Sequence, residues 1–203
     1  SVHAGFLTGN STPYLAEKGL YAFKLSTSIL MVGTPFSSIS LTGKYCLDSK
    51  VCLSARYGIG TIDYSTISGA KLTTDPVING IGLEYLFSGE KNTEYFTFVA
   101  EYETVSWSIN RQSNVSNEIL LGVDYNSQTS SVSRTRHRLA VHNFNAGSES
   151  EEKISSSIKY SLSTEIDYSF TKNWNGSFEA GIFFGDPVGG LLVLFGLGIG
   201  LNV

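Results

Sequence analysis

The chain has 203 residues, of which 41% are hydrophobic and only 16% are charged, and its formal net charge is −4 at pH 7. This hydrophobic content excludes a disordered chain, and the negative charge argues against a nucleic-acid partner. The charged fraction lies below the roughly 25% of soluble domains. No apolar run reaches the roughly 18 residues of a membrane helix. We therefore expect one folded domain whose surface is poor in charge.

The N-terminal part precedes the first patterned segment. The chain begins at Ser1 without Met and without a charged-then-apolar leader, which predicts a mature form whose secretory signal has been removed. We expect a single domain over residues 1–203, in which residues 1–18 lead into the first strand.

Apolar and polar residues then alternate with period two along nine segments of the chain. This period is typical of β-strands that separate an apolar medium from a polar one. In chain order the segments are 19–32, 38–47, 51–64, 81–87, 96–102, 119–125, 154–170, 174–184 and 191–201.

The longest of these segments runs from Ile154 to Phe170, where every even position except Ser156 and Thr164 is apolar. Strands of soluble domains usually stop at roughly 5 or 6 residues. A tilted strand that crosses a bilayer needs about 9 to 11. The pattern therefore predicts an all-β, antiparallel, up-and-down transmembrane β-barrel, in which closure satisfies every backbone group in lipid.

Residues 133–145 form a tenth segment with one basic face. Arg134, Arg136, Arg138 and His142 share a parity opposite to that of Leu139 and its neighbours, which predicts a strand whose basic face points into the lumen. The total is about ten strands, with eight as the alternative, since bacterial single-chain barrels have an even number.

The apolar parity changes after Tyr102, where Val105, Trp107 and Ile109 take over. This change predicts a β-bulge or the end of the membrane-spanning part.

Polar connections separate the strands. We place the short turns 48–50, 88–92, 126–130 and 171–173 at the periplasmic end, and the segments 65–76, 110–116 and 146–152 at the outer end, together with 33–35 and 186–190. Aromatic girdles are expected at the headgroups. Their members are Tyr45, Tyr57, Tyr85, Trp107, Tyr125, Tyr168 and Trp174. The alternative is a soluble, lipocalin-like ligand-binding barrel whose apolar face points inward.

Two cysteines flank the 48–50 turn. If Leu47 pairs with Val51, Cys46 lies directly opposite Cys52 on the inward face, where a disulfide is within reach. A secretory compartment favours its oxidation.

The inward ionisable residues are the candidate functional residues. They are Lys24, Lys44, Arg56, Glu84, Glu101, Glu103, Asp124, Arg134, Arg136, Arg138, His142, Lys159, Glu165, Asp167 and Glu179. The interior of a small barrel is nearly filled by side chains, so we expect opposite charges to pair, with Arg136 bound to Glu101 or Glu103. Such a network predicts either a structural plug or a narrow selective pore.

The alternating strands, the hairpin LTGKYCLDSKVCLSARYGIG and the terminal strand LLVLFGLGIGLNV resemble small bacterial outer-membrane β-barrels, the class that includes the OmpA transmembrane domain, OmpX and OmpW. The resemblance covers the chain from Gly19 onward. It implies a location in the bacterial outer membrane and lipid as a partner, including lipopolysaccharide.

Motifs for catalysis are missing from the sequence. His137 and His142 accompany no GxSxG nucleophile motif, and the glycines of GIG and GLGIG lack the GxGxxG context. We expect no enzyme, no catalytic residue, no cofactor and no metal site. Two function classes remain: a structural or interaction barrel that binds a protein partner through its outer loops, and a selective channel for small solutes.

Overall fold

The computed structural model describes residues 21–31, 36–65, 71–89, 94–109, 112–148, 151–171, 173–185 and 192–203. All regular secondary structure in these ranges is β-strand. Within them, no helix has the length and apolar character needed to cross a membrane. The expected leading segment 1–18 lies outside the described residues.

The strands are consecutive and long. In chain order they are β1 (Tyr21–Met31), β2 (Phe36–Cys46), β3 (Val51–Ser65), β4 (Lys71–Thr74), β5 (Val77–Gly89), β6 (Glu94–Ile109), β7 (Gln112–Gln128), β8 (Ser133–Ser148), β9 (Glu151–Ser169), β10 (Trp174–Phe184) and β11 (Leu192–Asn202).

These strands close into an antiparallel barrel with ten strand positions around its wall. β1 pairs with β2 on one side and with β11 on the other, so first and last strands are neighbours. β4 and β5 occupy one position in the wall, because β3 pairs with β5 over 51–59 and with β4 over 62–65. Pro76 separates the two strands and has no N–H to donate, although its carbonyl accepts from Gly60 N at 2.8 Å. The prediction of ten strands is confirmed.

The two faces of the barrel wall differ sharply in polarity. Outward apolar side chains are exposed, as shown by Ile81 (66%) and Leu139 (60%), whereas inward charged side chains are buried, as shown by Arg138 (1%) and Glu165 (2%). A soluble protein buries the first group and exposes the second. This inverted distribution fits a wall in contact with lipid and contradicts the lipocalin-like alternative.

The hairpin between β2 and β3 carries the disulfide. Leu47 N donates to Val51 O at 2.9 Å, so Cys46 and Cys52 form the next pair, of the non-hydrogen-bonded kind in which backbones lie closest. Their Cα atoms are 3.9 Å apart and the disulfide is formed. The prediction of this bridge is confirmed.

Of the two explanations expected for the parity change in β6, the β-bulge is wrong. β6 keeps a continuous register with β5 and β7 beyond Tyr102, and Val105 and Trp107 are buried on the inward face. What changes is the interior, which becomes apolar there, so Trp107 is not a girdle residue. The bulge lies in β5 instead, between Leu86 and Ser88.

Three of the predicted outer connections are shorter than expected. Residues 71–74, 112–116, 146–148 and 151–152 belong to strands. The outward positions of these extensions, such as Thr73, are exposed and polar, so the apolar alternation fades while the backbone pairing continues. Sequence alternation therefore marks the part of each strand in lipid and underestimates its full length.

The inward face at this end of the barrel, where β6 ends at Ile109 and β7 begins at Gln112, is occupied by buried apolar side chains. We call this group the apolar cap. Its members are Phe36, Ile62, Ile78, Val105, Trp107, Phe144, Phe183 and Leu194.

Candidate functional site in the lumen

The strand register directs every predicted lumen residue to the inward face. Most of these side chains are buried, while Glu101 and Arg134 are half-buried. The predicted residues that are buried comprise six Lys and Arg residues and six Asp and Glu residues, and Glu118 is a seventh buried acidic residue in the part of the chain that the structure describes. The two signs are nearly balanced, so the charges are arranged to pair with each other rather than to create a field of one sign.

The most buried part of the site surrounds Arg138. Its Nε and Nη2 atoms donate to the two carboxylate oxygens of Asp124 at 2.6 and 2.9 Å, and its Nη1 donates to Glu101 at 2.9 Å. A bidentate guanidinium–carboxylate pair combines charge with fixed geometry. Strands β6, β7 and β8 are thereby joined through one side chain.

Arg136 continues this arrangement toward β9. Its Nη1 lies 3.4 Å from Glu165 Oε2, and its Nε lies 3.8 Å from Asp124 Oδ2. The same Nε donates to Asn126 Oδ1 at 3.3 Å. Arg136 and Arg138 therefore both contact Asp124.

Lys24 brings a distant strand into the same cluster. It pairs with Glu165 and lies 4.0 Å from Asp167, although β10 and β11 separate β1 from β9 in the wall. Its ammonium thus bridges the lumen rather than neighbouring strands. We call the connected set the lumen network. Its members are Lys24, Glu101, Asp124, Arg136, Arg138, Glu165 and Asp167.

Two further pairs join strands that are not adjacent. Lys44 Nζ on β2 lies 2.5 Å from Glu84 Oε2 on β5, and Arg56 Nη1 on β3 lies 3.1 Å from Glu103 Oε2 on β6. Because one strand lies between the partners of each pair, these ion pairs link strands of the curved wall that do not share backbone hydrogen bonds.

Glycines leave room for these long side chains. A Cβ atom at Gly198 would lie 2.5 Å from Lys24 Cε, and one at Gly82 would lie 3.2 Å from Glu101 Cγ and 2.5 Å from Ser54 Oγ. The inward glycines of β11 and β5 are therefore part of the site, since they vacate the space that the ion pairs occupy.

The cavities between the inward side chains are very small. One beside Arg56 and Glu103 has a volume of about 20 Å³, and those beside Arg136 and Lys24 have about 10 Å³ each. A single water needs roughly 10–15 Å³, so each has room for about one water.

Comparison with known proteins agrees with this architecture. No protein-family model and no curated protein matches the chain. Among solved structures, the β domain of the Bordetella autotransporter BrkA aligns with a TM-score of 0.58 and 10% identity, covering 92% of this chain and all of that one (100%). The transport unit of the Escherichia coli autotransporter AIDA-I aligns with a TM-score of 0.50 and 11% identity, covering 98% and 94%.

The protein has the fold of a bacterial outer-membrane β-barrel. At these identities the likeness establishes the fold alone. What distinguishes this barrel from others of the same fold is thus the set of side chains in its lumen.

One detailed pairing expected from the sequence is wrong. Arg136 lies against Glu165 and Asp124, whereas Arg138 binds Glu101 and Arg56 binds Glu103. The sequence identified which residues face inward, but the stagger between neighbouring strands decides which of them meet.

Sequence reasoning also missed Glu118 on β7. It is buried and hydrogen-bonded to His142 Nδ1. The signal was available, because Glu118 shares the even, inward parity of Asp124 on the same strand. His142 Nε2 in turn lies 2.7 Å from Ser161 Oγ on β9.

Lys159 and Glu179 are also buried in the lumen. Lys159 Nζ lies 4.6 Å from the centre of the Phe144 ring, within range of a cation–π interaction. Among the described side chains, no group of three His, Cys, Asp or Glu residues is arranged to hold a metal ion.

Proposed function

We propose that the protein is an integral barrel of a bacterial outer membrane that serves as a structural or interaction element of the cell envelope, with a lumen closed by paired charges. The observation that carries this proposal is the lumen network, in which inward cations and anions from β1, β6, β7, β8 and β9, most of them buried, meet at hydrogen-bond or ion-pair distance.

The outer surface supports the membrane part of the proposal. Exposed Leu25, Leu162 and Leu197 lie on the outward face of three different strands, as a lipid-facing belt requires. Lipid is therefore the first partner, with lipopolysaccharide in the outer leaflet. The short 48–50 hairpin belongs to the periplasmic end, as in other barrels of this architecture.

The interior supports the closed lumen. The apolar cap occupies one end of the inward face, and the lumen network with its water-sized cavities lies nearer the opposite end, toward the turn between β7 and β8. Separating a buried pair such as Arg138 and Asp124 leaves uncompensated charges, which costs roughly 3 to 5 kcal/mol. Opening a path for solutes would require several such separations.

A narrow, charge-selective pore is the second candidate. It is favoured by the position of Lys24, whose partners lie across the lumen and whose neighbours Ser26, Ser28 and Gly196 are small. If that one side chain swung away, a polar path would open along β1 and β11.

Single-channel recording of the refolded protein in planar bilayers separates the two candidates. We expect a silent wild type, and a Lys24→Met variant that shows small openings. Lys50→Met serves as the matched control, because it removes the same charge from an exposed turn. A wild type that conducts steadily, with Arg136→Gln altering only its ion selectivity, would establish the channel instead.

A further inference from the structure

A polar patch lies on the outer surface where β6, β7 and β8 approach their turns. Glu94, the first residue of β6, is the cross-strand partner of Ser127 on β7, and Ser127 is the partner of Thr135 on β8. All three side chains have the outward parity and are exposed or half-buried. A carboxylate is costly on a face in contact with hydrocarbon, so this patch lies at the level of the lipid headgroups.

The next row of the patch carries an imidazole and two aromatic rings. Phe96, Tyr125 and His137 are successive cross-strand partners, and the Tyr125 ring centre lies 5.1 Å from that of Phe96 and 6.1 Å from that of His137. The Tyr125 hydroxyl donates to the Glu94 carboxylate. His137 Nδ1 lies 2.9 Å from Thr164 Oγ1, which leaves Nε2 for a ligand. The patch thus offers an anionic acceptor beside aromatic rings and, next to it, groups that donate to an anion.

A groove in the outer surface begins beside the patch at Ile166, the cross-strand partner of Thr135. It has a volume of about 690 Å³ and an apolar lining that crosses β9, β10, β11, β1 and β2. Gly176 and Thr27 place small groups between its bulky side chains. Neighbouring strands lie about 4.8 Å apart, so five strands span about 19 Å. One leaflet of the hydrocarbon core is about 15 Å thick, so the groove has the length of an acyl chain.

The patch and the groove lie on one row of cross-strand partners. From Ile166 the row continues through Phe178, Leu197 and Thr27 to Ile39. It also climbs the wall, because the strands are tilted. Glu94 is the first residue of its strand, whereas Ile39 lies seven residues before Cys46, the last residue of β2. A ligand that follows this row has one end at the headgroups and the other within the hydrocarbon.

We propose that this row binds one phospholipid with a phosphoethanolamine headgroup, so that the patch holds the headgroup and the groove holds an acyl chain. Glu94 accepts from the ammonium, and the two aromatic rings beside it add a cation–π attraction. His137 and the hydroxyls of Ser127 and Thr135 donate to the phosphate. The inference rests on the proposed membrane barrel and its orientation, in which this end lies in the phospholipid leaflet opposite lipopolysaccharide.

The charges of the patch distinguish this headgroup from others. Phosphoglycerol has a phosphate and no cation, so the Glu94 carboxylate repels it. Phosphocholine has a cation without an N–H group, so it gives Glu94 no hydrogen bond. Phosphoethanolamine provides both the cation and its N–H donors, at one phosphate's distance from His137. A hydrogen-bonded ion pair is stronger than either interaction alone, so we expect the order ethanolamine, choline, glycerol.

Trp174 provides a local readout of the groove. The chain has two tryptophans. Trp174 is exposed on the outward face, two residues before Gly176, whereas Trp107 is buried in the apolar cap. In vesicles that mix phosphatidylethanolamine with phosphatidylglycerol, one lipid at a time carries bromine on its acyl chains as a quencher. We expect brominated phosphatidylethanolamine to quench Trp174 at an about fivefold lower mole fraction than brominated phosphatidylglycerol, the value of a well-formed exposed ion pair.

Substitution of the carboxylate tests the headgroup part of the site. Glu94→Gln should abolish the difference between the two lipids. Asp48→Asn is the matched control, because it removes the same charge from an exposed turn at the same end of the barrel, and it should keep the difference.

A second measurement tests whether the patch and the groove hold the same molecule. Barrels extracted from vesicles of the two lipids in equal amounts should retain one phosphatidylethanolamine in native mass spectra. Glu94→Gln on β6 and Thr27→Phe on β1 should each lose it, although the two residues lie on distant strands. Ile59→Phe is the control for the second variant, because it places a ring on an exposed outward position of β3 beyond the groove.

Three results would overturn the inference. They are equal retention of the two lipids, a quenching difference that Glu94→Gln leaves unchanged, and retention of phosphatidylethanolamine by Thr27→Phe. Failure of the wild type to insert into either kind of vesicle would contradict the membrane barrel itself. Conductance plays no part in these measurements, so their outcome is separate from that of the closed lumen.

Discussion

The two sides of the lumen are built from opposite kinds of residue. Strands β6 to β9 present several long charged side chains, such as Glu101, Arg136 and Arg138, whereas β11 and β1 present Gly196, Gly198, Ser26 and Ser28 around the side chain of Lys24. The charged side supplies the atoms that fill the barrel, and the small-residue side supplies the space that they enter. Closure of the lumen thus depends on both sides together. Substitutions on the two sides should therefore destabilise the barrel for different physical reasons.

Breaking the charged side should have the largest effect. Arg138→Leu removes the bidentate partner of buried Asp124 and the donor to half-buried Glu101, and we expect a loss of about 3 to 5 kcal/mol in the free energy of unfolding. Urea titration of the refolded barrel, followed by gel mobility, measures it. Adding Asp124→Leu should recover much of the loss. If the two losses simply add, the pair is not coupled.

A charge on the outer surface should have the next largest effect. Leu197→Arg puts a guanidinium into the lipid-facing belt and should cost about 2 to 4 kcal/mol near the bilayer midplane. The same titration applies, with Ser130→Arg in an exposed turn as the control. Equal stability of the two variants would contradict the assignment of this face to lipid.

A side chain on the small-residue side should act by crowding. In Gly198→Val the new Cβ would meet Lys24 Cε at 2.5 Å, and we expect a loss of about 1 to 3 kcal/mol. The penalty should shrink in a Lys24→Ala background, because the displaced atoms are then absent. A penalty that persists would place its cause in the contact of the new Cβ with Ser177 Oγ, at 2.8 Å, or in the β11 backbone, rather than in the ion pair.

The hairpin disulfide should have the smallest effect. Cys46 and Cys52 close a loop with a sequence separation of only 6, and a short loop gives a small entropic gain, at most about 2 kcal/mol. Thiol titration of the unfolded, unreduced protein should find no free thiol. Cys46→Ser with Cys52→Ser should leave the barrel folded.

The fold could be predicted because period-two alternation is a local property. It assigned Leu162 and Leu197 to the outside, and the Cys46–Cys52 register followed from one short turn. The pairing of Arg138 with Glu101 could not be predicted, since it depends on the stagger of β6, β7 and β8 taken together. The chain from Ser161 through His142 to Glu118 escaped for the same reason, because three separate strands assemble it and no contiguous motif records it.

The seam between β1 and β11 bears on the order in which the barrel forms. Ala22 pairs there with Asn202. The strands at every other pair of neighbouring positions in the wall are joined by a connection that is short in sequence. Hairpins can assemble as the chain is delivered, but this ladder has to wait for the last strand, and the entropy of closing so long a loop is lost only then. Until that ladder forms, both edges of the sheet lack a partner strand. Pairing of β1 with β11 is therefore the step that closes the barrel and completes its insertion.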